Sequence, residues 1–306
     1  MNRFLKNIFS KHPLPTTTDS IRDATMETAA EMDDQPSQPL LSHSKRKIEP
    51  TQLIVGCSQS TGMQRSHNED SLFCMNTTMT SEPNNMPFGL FIVADGMGGH
   101  QHGEIASAIA VRALSGYILG KLCAPIFSYK SSPPSASIQE IMSQGILDAH
   151  RIILKDVQGG GTTLSAALLR GDQMTIAHVG DSRVYSIAAN GEIQVLTRDH
   201  SLVRRLIELG QITEEEAINH PQRNVLYRAL GQGEPFEPDV STYPILPGGY
   251  LLICSDGLWG VVPDEAIVQI TLNAPSPQDA CQQLVDAANK GGGPDNISVI
   301  LVHFPE

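Results

Sequence analysis

Phe91-Ile-Val-Ala-Asp95-Gly-Met-Gly-Gly-His100 is an apolar run that ends on a carboxylate and breaks at once into glycines. A short apolar stretch bounded by glycine reads as a buried strand, here over 88–95. The strand end holds the Asp95 side chain rigidly, and the glycines after it let the backbone approach a ligand closely. A carboxylate beside the free carbonyl of Gly96 is half of a hard-oxygen site for Mg2+ or Mn2+. Alone, the same pattern also describes an ordinary strand-to-helix turn.

The design recurs. Leu251-Leu-Ile-Cys-Ser-Asp256-Gly runs apolar into a carboxylate, Ile176-Ala-His-Val-Gly-Asp181 does the same, and Asp295-Asn-Ile-Ser-Val-Ile-Leu-Val302 begins an apolar run with one. Each aspartate alone could be a cap or turn residue. Clustered carboxylates repel one another, and a bound dication removes that cost, so the set points to a metal site. Arg65-Ser-His-Asn-Glu69-Asp70 adds a planar guanidinium suited to phosphate and two further carboxylates able to meet a metal directly or through water. Its alternative reading is a surface ion-pair cluster.

Working outward, further strands are expected over 52–58, 71–75, 162–169, 174–180, 183–187, 192–196, 249–255 and 296–303. Helices are expected over 103–120, 137–155, 202–209, 213–217, 263–272 and 277–289. Gly171-Asp172 and Asn190-Gly191 mark hairpin turns. Helices arrive in pairs between groups of strands, which disfavours a parallel βαβ layout and favours antiparallel sheets covered by helices. Residues 1–50 are rich in Pro, Ser, Thr, Gln and Asp and read as a disordered tail before one domain at 51–306. Phe4, Leu5, Ile8 and Phe9 share one helical face with Arg3, Lys6 and Lys11 around them, a pattern for docking on an anionic membrane surface or a partner groove. The blander reading is a leader with no docking role.

The tail is electrically balanced. Arg3, Lys6, Lys11, Arg22, Lys45, Arg46 and Lys47 offset Asp19, Asp23, Glu27, Glu31, Asp33, Asp34 and Glu49, so the net charge of -12 belongs to residues 51–306. That balance argues against nonspecific nucleic-acid binding. Cys57, Cys74, Cys123, Cys254 and Cys281 form no Cys-x-x-Cys pair and read as reduced thiols of a cytoplasmic protein. None is followed by arginine at the spacing of a tyrosine-phosphatase loop. No stretch is read as the ~20 apolar residues of a membrane span.

Arg65…Asn68-Glu-Asp70, Ala94-Asp-Gly-Met-Gly-Gly99, Gly161-Thr-Thr-Leu164, Val179-Gly-Asp-Ser-Arg183, Asp199-His-Ser201, Arg228-Ala-Leu-Gly231, Ser255-Asp-Gly-Leu-Trp259 and Asp295-Asn296 occur in that order. Together they resemble the metal-dependent protein serine/threonine phosphatases, the PPM or type 2C family, in its bacterial form. The resemblance implies an α+β fold, a four-layer α-β-β-α sandwich of two antiparallel sheets flanked by helices. It implies a monomer that hydrolyses phosphoserine and phosphothreonine in proteins, opposing a serine/threonine kinase, with two or three Mn2+ or Mg2+ ions. By the same resemblance Asp95 bridges two metals, the Gly96 carbonyl joins one, and Asp256 and Asp295 complete the other. Glu69 and Asp70 act around the pair, Asp181 with Asp256 holds a third metal, and Arg65 clamps the phosphate. Two departures stand out: no aspartate precedes Gly62, and Met97 replaces a histidine found in eukaryotic members. His67, His100 and His102 read as surface or loop-packing side chains. Residues 201–227 resemble a flap beside the active site. A scaffold that has lost activity, or another two-metal hydrolase such as a nuclease or phosphodiesterase, are the competing classes; the retained aspartates disfavour the first and the acidic domain the second.

Overall fold

The structure is a computed structural model that describes residues 52–305 apart from 82–83, 99–100, 131 and 234–235. The expected tail, its amphipathic segment, Gly99 and His100 lie outside the described residues.

Two five-stranded antiparallel sheets form the centre. The first runs, edge to edge, β1 (Ile54–Ser60), β12 (Ile297–His303), β11 (Tyr250–Cys254), β8 (Arg183–Ile187) and β9 (Ile193–Val195). The second runs β10 (Asp239–Pro244), β7 (Gln173–Val179), β6 (Leu164–Arg170), β3 (Asn84–Ala94) and β2 (Ser71–Ser81). A two-residue pair, β4 (Gly96–Met97) with β5 (Gly161–Thr162), stands apart.

Side-chain alternation makes the layers. In β3, Leu90, Ile92 and Ala94 join a cluster with α1 (Gln101–Ile118) and α3 (Ile138–Asp156), while Phe91 and Val93 turn the other way. In β6, Ala166 and Leu168 pack outward and Ala167 and Leu169 inward. On the first sheet, Leu252, Val299 and Leu301 meet α7 (Asp264–Asn273) and α8 (Pro277–Lys290), whereas Leu251, Ile253, Ile300 and Val302 face inward. The inward residues of both sheets form one buried cluster, so the order is helix, sheet, sheet, helix. Strands buried on both faces explain the near-continuous apolar runs that marked them in the sequence.

Local signals place the helix ends. Ser137 and Glu140 close a reciprocal cap on α3, and Thr213 and Glu216 do so on α5 (Glu214–Ile218). Ser276 caps α8, with Pro277 at its first turn.

Several elements differ from expectation. β10 was not expected, because Asp239-Val-Ser-Thr-Tyr-Pro lacks an apolar pattern; it is an edge strand paired to β7, where Pro244 is tolerated. β2 and β3 extend to a Ser81–Asn84 pairing through the polar run after Met75, since a hairpin ladder needs backbone partners rather than apolar side chains. α1 does not stop at Gly120. The chain continues through a π-helical turn, Leu119–Cys123, into α2 (Ala124–Phe127), held by burial of Ile118 and Leu122 in the core. That continuous run, His102–Phe127, has the length and hydropathy to cross a membrane, which corrects the sequence reading; here one face, with Ala106, Ala110, Leu114 and Ile118, is core. Two short helices complete the chain, α4 (Leu202–Glu208) and α6 (Asp256–Trp259), the latter also not expected.

β1 lies tight against the start of α8. A Cβ on Gly56 would stand 2.3 Å from the Pro277 carbonyl carbon and oxygen, which are backbone and cannot rotate away. Gly56→Ala should therefore cost about 1–3 kcal/mol in urea unfolding. An unchanged midpoint would show that α8 yields freely.

Candidate active site

Antiparallel pairing brings the strand ends next to Asp70, Asp95, Asp181, Asp256 and Asp295 to one end of the sandwich. Ser71, which starts β2 after Asp70, pairs with Ala94, which ends β3 before Asp95. Leu164 pairs with Val179, two residues before Asp181. Cys254, two before Asp256, pairs with Val299, and Ser60 pairs with Ile297, two after Asp295. A polar pocket of about 230 Å3 opens there, lined by Arg65, Glu69, Asp95, Gly96, Asp181, Asp256 and Asp295 among others. Asp70 is buried but does not line it.

The holding contacts are specific. The Asp95 amide donates to Thr163 Oγ1 at 2.9 Å, and its carbonyl accepts from Thr163 N at 2.9 Å and Thr162 Oγ1 at 2.8 Å. Gly96 has no room for a side chain: a Cβ would lie 2.3 Å from the Gly103 carbonyl oxygen and 2.5 Å from that of Glu69. Asp70 Oδ2 accepts from Ser255 Oγ at 2.8 Å and Ser298 Oγ at 2.6 Å, which ties the second sheet to the first. Asn296 Oδ1 accepts from Glu69 N at 2.8 Å. Trp259 Nε1 donates to the Asp181 carbonyl at 3.0 Å, and the Arg183 guanidinium stacks 3.6 Å from the centre of its ring. Asp199 grips that arginine through both oxygens, at 2.8 and 3.1 Å.

Arg65 is half exposed and donates to Asp295 Oδ2 at 2.7 Å. The surface-pair reading is thus correct as far as the contact goes, but the pair sits on the pocket wall. His67 is more than loop packing: its Nε2 lies 2.9 Å from Glu69 Oε1. His102 is exposed on α1, and Met97 lines the pocket with Gln232 Nε2 at 3.2 Å from its sulfur.

Burial dominates the electrostatics. It pushes the Asp95 and Asp181 carboxyls well above the usual range, reinforced for Asp95 by Asp70 and Asp256 and for Asp181 by Asp256 and Asp199. Burial likewise lifts Asp70 to about 7, against the lowering effect of its two serine donors, and Asp256 to about 6, with Asp295 adding to the rise. Asp70 Oδ1 and Asp256 Oδ1 are buried without a hydrogen-bond partner. Among the described residues, no three His, Cys, Asp or Glu side chains are already drawn into a coordinating cluster. The carboxylate oxygens that line this pocket suit hard cations that also take backbone carbonyls and water.

Thr163, Asn224, Leu226 and Asn296 also line the pocket, and sequence reasoning gave them no role. Thr163 and Asn296 stood inside quoted motifs, which was the available signal. Asn224 and Leu226 lie within 201–227, the segment whose likeness to a flap beside the active site was their signal.

The model of the family described as Protein phosphatase 2C matches residues 54–297. The serine/threonine phosphatase stp of Listeria monocytogenes is 39% identical over 241 residues, covering 79% of this chain and 92% of that protein. A crystal structure of the Mycobacterium tuberculosis serine/threonine phosphatase PstP superposes with a TM-score of 0.68 at 31% identity, over 83% of this chain and 99% of that one. The PstP catalytic domain in complex with two manganese ions superposes with a TM-score of 0.66 at 30% identity, over the same shares of 83% and 99%. Matched from its first strand into its last, with both sheets and the carboxylate pocket between them, the chain belongs to the protein phosphatase 2C family.

Proposed function

We propose that this chain is a metal-dependent protein serine/threonine phosphatase. The observation that carries the reading is the convergence of Asp95, Asp181, Asp256 and Asp295 with the Arg65 guanidinium in one polar pocket. Relatives named as serine/threonine phosphatases, and the manganese complex of one of them, support it.

The pocket fits Mn2+ or Mg2+. Its orphaned Asp256 oxygen, and that of Asp70 behind it, are hard donors without protein partners, and the raised carboxyls are groups that a dication would return to the charged form. Asp95, the Gly96 carbonyl, Asp256 and Asp295 would hold two ions, with Glu69 and Asp70 acting around them and Asp181 with Asp256 holding a third. When bound, such ions acidify water and draw charge from the phosphoryl oxygens. Arg65 lines the pocket with Nη2 on Asp295, and a guanidinium has further donors with which to orient a phosphate there. Thr162 and Thr163 fix the Asp95 main chain, and the two serines fix Asp70, so the carboxylates need little reorganisation when substrate arrives. None of these steps needs a covalent phosphoenzyme.

The substrates in this reading are phosphoproteins made by a serine/threonine kinase of the same cell, and the protein acts as a monomer in the cytoplasm. The five unbridged cysteines support a reducing compartment.

Turnover of p-nitrophenyl phosphate or a phosphothreonine peptide should vanish on thorough chelation and return with Mn2+ or Mg2+. Undiminished turnover without metal would sink the reading. Asp95→Asn should lower turnover by several orders of magnitude, yet the chelated variant should melt no lower than wild type, because one repelling buried charge is gone.

Raised carboxyl pKa values favour the folded state at low pH, and that contribution is lost as pH rises through them. Asp70 at about 7 and Asp256 at about 6 set the window. Mn2+ at 100 times its dissociation constant should therefore raise the melting temperature of chelated protein by roughly 5–10 °C at about pH 7.5. At that same Mn2+ concentration the rise should shrink near pH 5, where protons compete for the same oxygens and weaken binding; a shift of equal size at both values would remove these carboxyls from the metal site.

Arg65→Ala removes a charge-assisted contact to phosphate, so kcat/KM should fall roughly ten- to hundred-fold, less than for Asp95→Asn. A silent substitution at saturating metal would leave Arg65 as only a partner of Asp295.

A further inference from the structure

A cleft of about 820 Å3 opens from the carboxylate pocket, and the two share Arg65, Asp181, Asn224, Asp256 and Asp295. One wall is built by Val203 and Ile207 of α4 and Ile218 at the end of α5. The other is built by Val261 and Pro263, between α6 and α7. None of these five side chains belongs to a core cluster, and Ile218 is 68% exposed. Their apolar surface is left over from folding.

The charged groups around the cleft are largely paired with each other. Arg183 holds Asp199 at 2.8 Å, Arg204 holds Glu214 at 3.1 Å, and Arg65 holds Asp295 at 2.7 Å. A basic side chain entering would have to compete with these pairs, and an acidic one would find, among the described residues, only Arg223 outside them while facing Asp181 and Asp256. An apolar one would lose water against two facing apolar walls, which is favourable without any exchange of partners.

We infer that this cleft seats an apolar side chain of the polypeptide substrate close in sequence to the phosphorylated serine or threonine. The inference rests on the phosphatase reading and deepens it, because a phosphoester in the carboxylate pocket obliges the chain on one side of it to leave along the shared edge. An extended chain advances ~3.3–3.6 Å per residue, so a residue within about three positions reaches between the walls. Burying most of a leucine-sized side chain there is worth roughly ten-fold in kcat/KM.

The test uses the full chain with Mn2+ and three substrates. These are p-nitrophenyl phosphate and two phosphothreonine peptides that differ only in carrying Leu or Asp within about three positions of the phosphoresidue. Wild type should prefer the Leu peptide by about ten-fold in kcat/KM, expressed mainly in KM. Ile218→Asp, alone and with Val203→Asp, should remove that preference while p-nitrophenyl phosphate turnover stays within about two-fold. Ile218→Leu should keep the preference. Equal handling of the two peptides by wild type, or a preference that survives both aspartate variants, would overturn the inference while leaving the phosphatase reading intact. An equal loss on the aryl phosphate and both peptides would assign Ile218 to the architecture of the pocket and overturn it as well. No turnover of p-nitrophenyl phosphate by wild type with Mn2+ would remove the phosphatase reading, and this inference with it.

Discussion

Carboxylates crowded at one buried end of a sandwich repel each other, and the rest of the chain is arranged to withstand that. Asp70 and Asp181 are buried, and burial lifts both of their carboxyls and those of Asp95 and Asp256. No lysine or arginine neutralises Asp70 or Asp95 among the described residues; their support is hydroxyls and main chain. Such donors fix position without cancelling charge. Placement and neutralisation are thereby separated, and a dication is left to do the second. A salt-bridged version of the same pocket would be more stable alone and would have no use for metal.

The cost falls on the sandwich. Its three buried layers alternate strictly along β3, β6, β11 and β12, so a one-residue slip in any of them would send apolar side chains to the wrong layer. The same register sets which residue follows each strand. Asp95 and Asp256 are therefore held where they are by Phe91, Val93, Leu251 and Ile253, which touch no substrate. Ser255 and Ser298 then link the two sheets through Asp70, so the pocket is defined across the sheet interface and not within either sheet alone.

What the sequence made legible follows from this. An apolar run bounded by an aspartate, at its end for Asp95, Asp181 and Asp256 and at its start for Asp295, reports burial and a strand end together, so the four aspartates and most strands of both sheets could be read from it. β10 could not, because an edge strand held by backbone pairing to β7 needs no apolar pattern. The serines under Asp70 and the threonines behind Asp95 are single hydroxyls whose meaning lies in contacts 67 to 228 residues away along the chain. The cleft was hidden for the same reason. Val203, Ile207 and Ile218 look like the core face of short helices, and only the folded chain shows that they pack on no core and face Val261 and Pro263.

The loop from Thr61 to Asp70 shows how a segment with no regular structure can still be rigid. Asn296 accepts from Glu69 N and donates to the Thr61 and His67 carbonyls at 2.9 and 3.0 Å. Met63 N and Gln64 N both donate to the Gly293 carbonyl, at 2.8 and 3.1 Å. Gly62 sits at φ 80, and a Cβ there would lie 2.1 Å from the Asp295 carbonyl oxygen, so the two segments are pressed together backbone to backbone. Arg65 thus rides on the same unit as Asp295, its ion-pair partner. An exposed pair of this sort is worth about 0–1 kcal/mol. That is enough to aim the guanidinium across the pocket and too little to hold it against a phosphate, so the loop supplies the precision and the pair supplies only the direction.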